Sequence, residues 1–206
     1  MSKKAESSLK NMLLALTLIA LVASLGLALV NNVTKGPIEQ VNKKKVEEAV
    51  TKVLPPYDHY DIDVVSIDTE KGAAELTRYT AVDAEGALVG KAVEALDPNG
   101  FGGKLRAMVG FDADGNITGY EILESNETPG LGAKADKWFK PTKQTADGKE
   151  EFDLESSRSV IGKNPAEGLK VKKDGGQIDA ITGSTITSRA FCRLVENAYK
   201  AFLSQE

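Results

Sequence analysis

The sequence predicts an α+β protein, with an N-terminal transmembrane helix followed by an antiparallel sheet domain flanked by helices. Three observations predict it. An uncharged apolar run covers residues 12–30, and five short, partly alternating segments follow between residues 61 and 123. Apolar residues then return at helical spacing near the C-terminus, at Phe191, Leu194, Val195, Ala198 and Phe202.

The apolar run has the length of a membrane span: at 1.5 Å per residue it covers about 28 Å, close to a bilayer's hydrocarbon core. Lys3, Lys4 and Lys10 ahead of it resemble the basic region of a cleaved signal peptide. However, the run exceeds the ~7–15 residues usual for such a signal, and no A-x-A precedes a polar mature start. Ser24-Leu25-Gly26 is a weak cleavage site with more apolar residues after it, and no cysteine ends the run to take a lipid. The segment is therefore read as a retained single span, with residues 1–11 as its tail. Lys35, Lys43, Lys44 and Lys45 on the far side nearly balance the tail, so charge counts do not set the orientation.

Residues 31–60 read as a helical linker. After Gly36-Pro37, the residues Ile38, Val41, Ala49, Val50 and Val53 approximate one apolar face, and Pro55-Pro56 ends the pattern. His59 is read as a loop residue. The folded domain then occupies residues 61–206, with strands expected at 61–68, 73–82, 87–96, 105–111 and 117–123. Asp83-Ala84-Glu85-Gly86 and Asp112-Ala113-Asp114-Gly115 are matching turns, each with Gly where a hairpin wants positive φ. The second is not a calcium loop, because Ile117 and Leu123 stand where an EF-hand needs Gly and Glu.

Residues 125–132 form a loop, residues 133–139 a short amphipathic piece, and residues 140–157 a polar excursion. Final strands are expected at 169–172 and 178–181, and residues 182–184 open the C-terminal helix. Cys192 on that helix reads as a small buried side chain.

Composition excludes several classes of function. The formal net charge is −4, from 26 Lys+Arg against 30 Asp+Glu, so the basic excess of a nucleic-acid binder is missing. One Cys and one His cannot by themselves build an iron–sulfur or zinc site or an internal disulfide, so no metal site is expected. Redox chemistry, if any, needs an organic cofactor or another subunit.

The most informative stretch is Asp179-Ala180-Ile181-Thr182-Gly183-Ser184-Thr185-Ile186-Thr187-Ser188, where hydroxyls surround a glycine at a helix start. Two readings stand open on the residues alone. One is an anion site made of free N–H groups, short donors and a Gly that permits close approach. The other is an over-supplied N-cap, with Thr182 or Ser184 capping.

Thr182-Gly183-Ser184-Thr185-Ile186-Thr187 resembles the S/T-G-A-T-x-T/S flavinylation motif of the FMN-binding domain family, with Ser184 where the family more often has Ala. Gly100-Phe101-Gly102-Gly103-Lys104-Leu105 resembles the family's G-Y/F-G-G run, and Glu127-Thr128-Pro129-Gly130-Leu131-Gly132-Ala133 its E-T-P-G-L-G loop. With the N-terminal anchor, the chain is similar to the G subunits of Rnf-type ion-translocating complexes, which couple ferredoxin and NAD. It is also similar to the usually longer C subunits of sodium-pumping NADH:quinone reductases, and its short length favours the Rnf reading.

The resemblance implies FMN joined by a phosphoester to Thr187, which makes the chain a covalent flavoprotein and formally a phosphoprotein. It implies a cofactor site of Thr182, Gly183, Ser184, Thr185, Glu127, Thr128, Gly130, Leu131, Gly132, Gly102 and Gly103, with Leu131 against the flavin ring. No residue is expected to be catalytic in its own right, and the chain is expected to relay electrons within a complex. Thr185 and Ser188 offer the same chemistry as Thr187, so that choice rests on the family's register. No base for Thr187 is visible in the sequence, which leaves its activation to a flavin transferase and the transferase's metal. The implied partners are that transferase, the other subunits of the complex and the membrane. The implied topology has the N-terminus in the cytoplasm and the domain outside. A stand-alone anchored flavin protein and a non-redox scaffold are the remaining readings.

Overall fold

A computed structural model describes residues 8–69 and 72–204; Lys3 and Lys4 lie outside the described residues. The chain divides into two units, residues 1–45 and 46–206. In the first unit residues 9–45 are helical, within a helix α1 that extends over Leu9–Val53. It is long and apolar enough to cross a membrane. The few polar side chains of its apolar part turn back onto its own carbonyls: Thr17 Oγ1 donates to Leu13 O at 3.0 Å and Ser24 Oγ to Ala20 O at 2.7 Å. Such bonds satisfy hydroxyls where water is absent. Pro37 lies inside α1 rather than ahead of a new helix, so the Gly36-Pro37 pair does not divide it.

The second unit is built on a five-stranded antiparallel meander in the order β1 to β5. The strands are β1 (His59–Thr69), β2 (Gly72–Val82), β3 (Leu88–Gly100), β4 (Gly103–Asp112) and β5 (Ile117–Ser125). Both Asp-x-x-Gly turns form as the pattern predicts. Asp83 Oδ1 accepts from the Glu85 and Ala87 amides, and Asp112 Oδ1 from those of Asp114 and Asn116. Gly86 and Gly115 take φ of 82° and 83°. His59 is the first residue of β1 and not a loop residue, paired with Val82 across the sheet.

Each sheet face buries a helix. On one face α3 (Thr185–Leu203) packs Phe191, Leu194, Val195, Ala198, Ala201 and Phe202 against Val93, Ala107, Val109 and Phe111. On the other, Ala49, Val50 and Val53 from the end of α1 pack on Tyr79, Ala81, Ala92 and Met108. Of the apolar face expected on this helix, Ile38 and Val41 are exposed. Paired Gly110 and Gly119 let the backbone at Val53 approach closely; a Cβ on Gly110 would overlap the Val53 carbonyl. That carbonyl accepts a short hydrogen bond from Thr118 Oγ1. Arg78, 2% exposed, is held by both carboxylate oxygens of Asp63 and donates to Ala201 O at 3.1 Å near the C-terminus of α3. A cation belongs there, at the negative end of the helix dipole.

Two further expectations change. The polar excursion contains a small hairpin, β6 (Thr142–Gln144) with β7 (Glu150–Phe152). The final strands do not form; Val171 and Ile178 share one isolated parallel bridge, and a 3₁₀ turn over Lys172–Asp174 interrupts them. Gly175 at φ 82° closes that turn. Between sheet and α3, the 3₁₀ turn Gly132–Lys134 leads into a short α2 (Ala135–Trp138). Phe139 follows and stacks on Phe191 with ring centroids 4.3 Å apart. That stack ties the loop after β5 to α3, and so brings two separated motifs together.

Candidate functional site

Three glycine-containing segments meet at the N-terminus of α3. The first is the β3–β4 hairpin, where Gly103 at φ 98° makes the turn and Phe101 stands exposed at the tip. The second is the loop after β5, in which Gly130 at φ 77° turns the chain and Thr128 O accepts from the Leu131 and Ala133 amides. The third is the Thr182-Gly183 turn, with Gly183 at φ 76°, that delivers the chain into α3.

Their centre is a hydrogen bond. Thr187 Oγ1 donates to Glu127 Oε2 at 2.9 Å, with Thr187 wholly buried and Glu127 7% exposed. Glu127 Oε1 is buried and has no hydrogen-bond partner among the described residues. Leaving such an acceptor unsatisfied costs on the order of 1–3 kcal/mol, and more when it is charged. The carboxylate fits only because its neighbours lack side chains. A Cβ on Gly100 would overlap Glu127 Oε1, and one on Gly132 would overlap Oε2 while lying 2.7 Å from Thr187 Oγ1. A Cβ on Gly102 would strike the Asn126 carbonyl, so the hairpin can lie against the loop only as glycine.

Next to this pair is an open cleft of about 330 Å³, lined by Phe101, Glu127, Thr128, Leu131, Gly132, Lys173, Gly183, Ser184, Thr185 and Ile186. Phe101, Leu131 and Ile186 present apolar surface at its walls, being 70%, 43% and 50% exposed. The opposite character sits at the helix end. Ser184 precedes α3 without a side-chain cap, so the capping reading fails and the first-turn N–H groups are unclaimed by it, while Ser184, Thr185 and Ile186 line the cleft. Lys173 Nζ lies 3.4 Å from Thr185 Oγ1. Nearby cations are matched: Arg189 grips Asp174 at 2.7 and 2.6 Å, and Lys172 Nζ is 2.8 Å from Asp179. The Arg189 guanidinium holds the Asp174 carboxyl below its ordinary range, and Lys172, followed by Ser157, does the same for Asp179.

The three hydroxyls that sequence alone left equivalent are now distinct. Ser188 Oγ donates to Ser184 O and accepts from the Ile181 amide, both at 2.9 Å, so it is spent on structure. Thr185 faces the cleft beside a lysine. Thr187 alone of the three bonds a carboxylate among the described residues.

Of the residues expected at the site, Glu127, Thr128, Leu131, Gly132, Gly183, Ser184 and Thr185 line the cleft. Thr187 lies behind Glu127 and Gly132 instead of at the surface. Gly102 and Gly103 shape the hairpin, Gly130 shapes the loop, and Thr182 is an exposed turn residue outside the lining. Phe101, Ile186 and Lys173 were not expected there. Phe101 had a visible signal, an aromatic residue inside a glycine run; Lys173 had none.

An apolar-walled cleft ending at an uncapped helix N-terminus and a lysine defines a class: a domain for a cofactor with a flat ring and a phosphate. Comparison with known proteins makes the class specific. A family model described as FMN-binding domain matches residues 100–200, the region that contributes all three segments. The G subunit of the Na(+)-translocating ferredoxin:NAD(+) oxidoreductase complex of Acetobacterium woodii is 36% identical, covering 86% of this chain and 83% of its own. The G subunit of the ion-translocating oxidoreductase complex of Cereibacter sphaeroides is 34% identical over 92% of this chain and 82% of its own. That of Vibrio atlanticus is 34% identical, over 85% and 82%. The crystal structure of Shewanella oneidensis NqrC aligns at 20% identity with a TM-score of 0.39, over 71% of this chain and 65% of that one. The chain belongs to the FMN-binding domain family, alongside the G subunits of ion-translocating oxidoreductase complexes.

Proposed function

We propose that this chain is a membrane-anchored electron-transfer subunit of an Rnf-type ferredoxin:NAD oxidoreductase, carrying FMN as a phosphoester on Thr187. The observation that carries the reading is the Thr187–Glu127 hydrogen bond, formed where the three family motifs converge at the open end of α3. The anchor is residues 12–30, with residues 1–11 in the cytoplasm and the folded unit of residues 46–206, which carries the FMN-binding domain, on the extracytoplasmic side.

When bound, FMN supplies electron transfer, and a phosphoester leaves its ring chemistry unaltered. The chain's own residues do the rest. The N–H groups at the start of α3 and the Lys173 ammonium offset phosphate charge, since a helix N-terminus favours anions. Phe101, Leu131 and Ile186 exclude water from one side of the cleft and set how exposed a ring lying there remains. Thr187 supplies the attachment oxygen. Thr187 is buried behind Glu127 and Gly132, so its oxygen must be reached from the cleft side. A flavin transferase delivers the cofactor, and neighbouring subunits of the complex supply and accept electrons.

Ultraviolet-excited fluorescence of the denatured band, after expression with a flavin transferase, tests the reading. The wild-type band should fluoresce and the Thr187→Ala band should be dark. A dark wild-type band with active transferase present would favour a non-redox scaffold instead.

A further inference from the structure

We infer that Glu127 is the general base of flavin attachment, taking the proton from the Thr187 hydroxyl; this rests on the attachment reading above. Thr187 Oγ1 already donates to Glu127 Oε2 at 2.9 Å, within the reach that proton transfer needs. The two hydroxyls that offered the same chemistry, Thr185 and Ser188, have no such acceptor among the described residues. Ser188 donates to a main-chain carbonyl, and the neighbour of Thr185 is the Lys173 ammonium, which cannot accept a proton.

The surroundings serve the carboxylate. Gly100 and Gly132 come from two different segments, and a side chain on either would displace one of its oxygens. Glu127 Oε1 has no hydrogen-bond partner among the described residues, so the bond from Thr187 is the side-chain contact the carboxylate makes there. A buried carboxylate kept half-paired is a poor structural device and a good acceptor.

In the step proposed, Thr187 Oγ1 attacks the flavin-side phosphorus of a flavin adenine dinucleotide presented by the transferase. The new Thr187 O–P bond forms, the pyrophosphate P–O bond breaks and AMP leaves with that bond's electron pair. The Thr187 proton passes to Glu127 Oε2. No electron is gained or lost by the protein. Glu127 touches the reacting atom, so it is a catalytic residue of its own chain's modification. That also explains why Thr187 is the acceptor in a segment rich in hydroxyls.

The test is the rate of covalent labelling, followed by intact mass, of full-length protein with purified transferase and FAD. Wild type should gain the mass of FMN less one water. Glu127→Gln keeps the shape and should label at least about 100-fold more slowly, the usual contribution of a general base. Glu127→Ala should be equally slow but regain rate with added formate, and not with chloride at equal ionic strength. Formate rescue reports a missing base and would not follow from a merely structural defect. Labelling of Glu127→Gln within threefold of wild type, or slow Glu127→Ala without rescue, would overturn the base assignment while leaving attachment intact. No labelling of wild type would overturn the attachment reading and this inference with it.

Discussion

Gly132 and Thr187 touch across 55 residues of sequence (187 − 132), and a methyl group on Gly132 would lie 2.7 Å from the Thr187 hydroxyl oxygen. The same methyl would overlap the Glu127 carboxylate. Gly132→Ala is therefore expected to separate Thr187 from Glu127 without unfolding the domain, since the φ of Gly132 is not in the left-handed region. Labelling should fall by more than about tenfold, with the thermal midpoint lowered by several degrees for a cost of about 1–3 kcal/mol. Wild-type labelling by this variant would show that the contact is not required.

Leu131 forms part of the cleft wall and is 43% exposed, so it is not ordinary core. Leu131→Ala should leave the flavin covalently attached while shifting its potential or visible spectrum. An unchanged spectrum and an unchanged potential would place the ring elsewhere.

The anchor is expected to be removable and the end of α1 is not. A chain beginning at Lys35 should be soluble and folded, because it retains Ala49, Val50 and Val53 under the sheet. One beginning at Pro55 loses those side chains and exposes Tyr79, Ala92 and Met108, at about 1.5–3 kcal/mol for each large apolar residue lost. It should aggregate or melt much earlier in circular dichroism. N-terminal sequencing of the full-length product should find the span still attached; a start near Leu27 would contradict it.

Burial pushes the Cys192 thiol up to about 12, and burial pushes Tyr79 up to about 12 as well. Between the ordinary thiol range near 9 and about 12, the unfolded chain has lost the Cys192 proton while the folded chain keeps it. Unfolding then releases a proton, so this contribution is fully present below pH ~9 and is lost as pH rises, at up to about 1.4 kcal/mol per unit. The urea midpoint should fall between pH 9 and 11, and less steeply in Cys192→Ala. Equal slopes in the two proteins would contradict the assignment.

The strands were legible because they partly alternate and because two of the turns between them carry an Asp and a Gly with definite jobs. Asp83 and Asp112 accept amides two and four residues on, a pattern visible within five letters. Helix α3 was legible from its apolar spacing. The segment 169–181 misled, because Val171 and Ile178 are buried for packing and make one bridge, not a ladder. The β6–β7 hairpin was invisible since all its strand residues are exposed and carry no alternation.

At the site, the motifs named the participants but not their geometry. Glu127 lies 60 residues from Thr187, and no local spacing links them. The structural use of Ser188 was hidden likewise, since its partner is the Ile181 amide across the Thr182-Gly183 turn. Lys173 lines the cleft from the 3₁₀ turn that Gly175 at φ 82° closes, and no local motif marks that placement.

Peptide mapping of protein matured by a flavin transferase tests the central claim most directly. The mass of FMN less one water should fall on Thr187, and Thr187→Ala should remain folded and carry none. Added mass on Thr185 or Ser188, or none on the wild type with active transferase present, would contradict it.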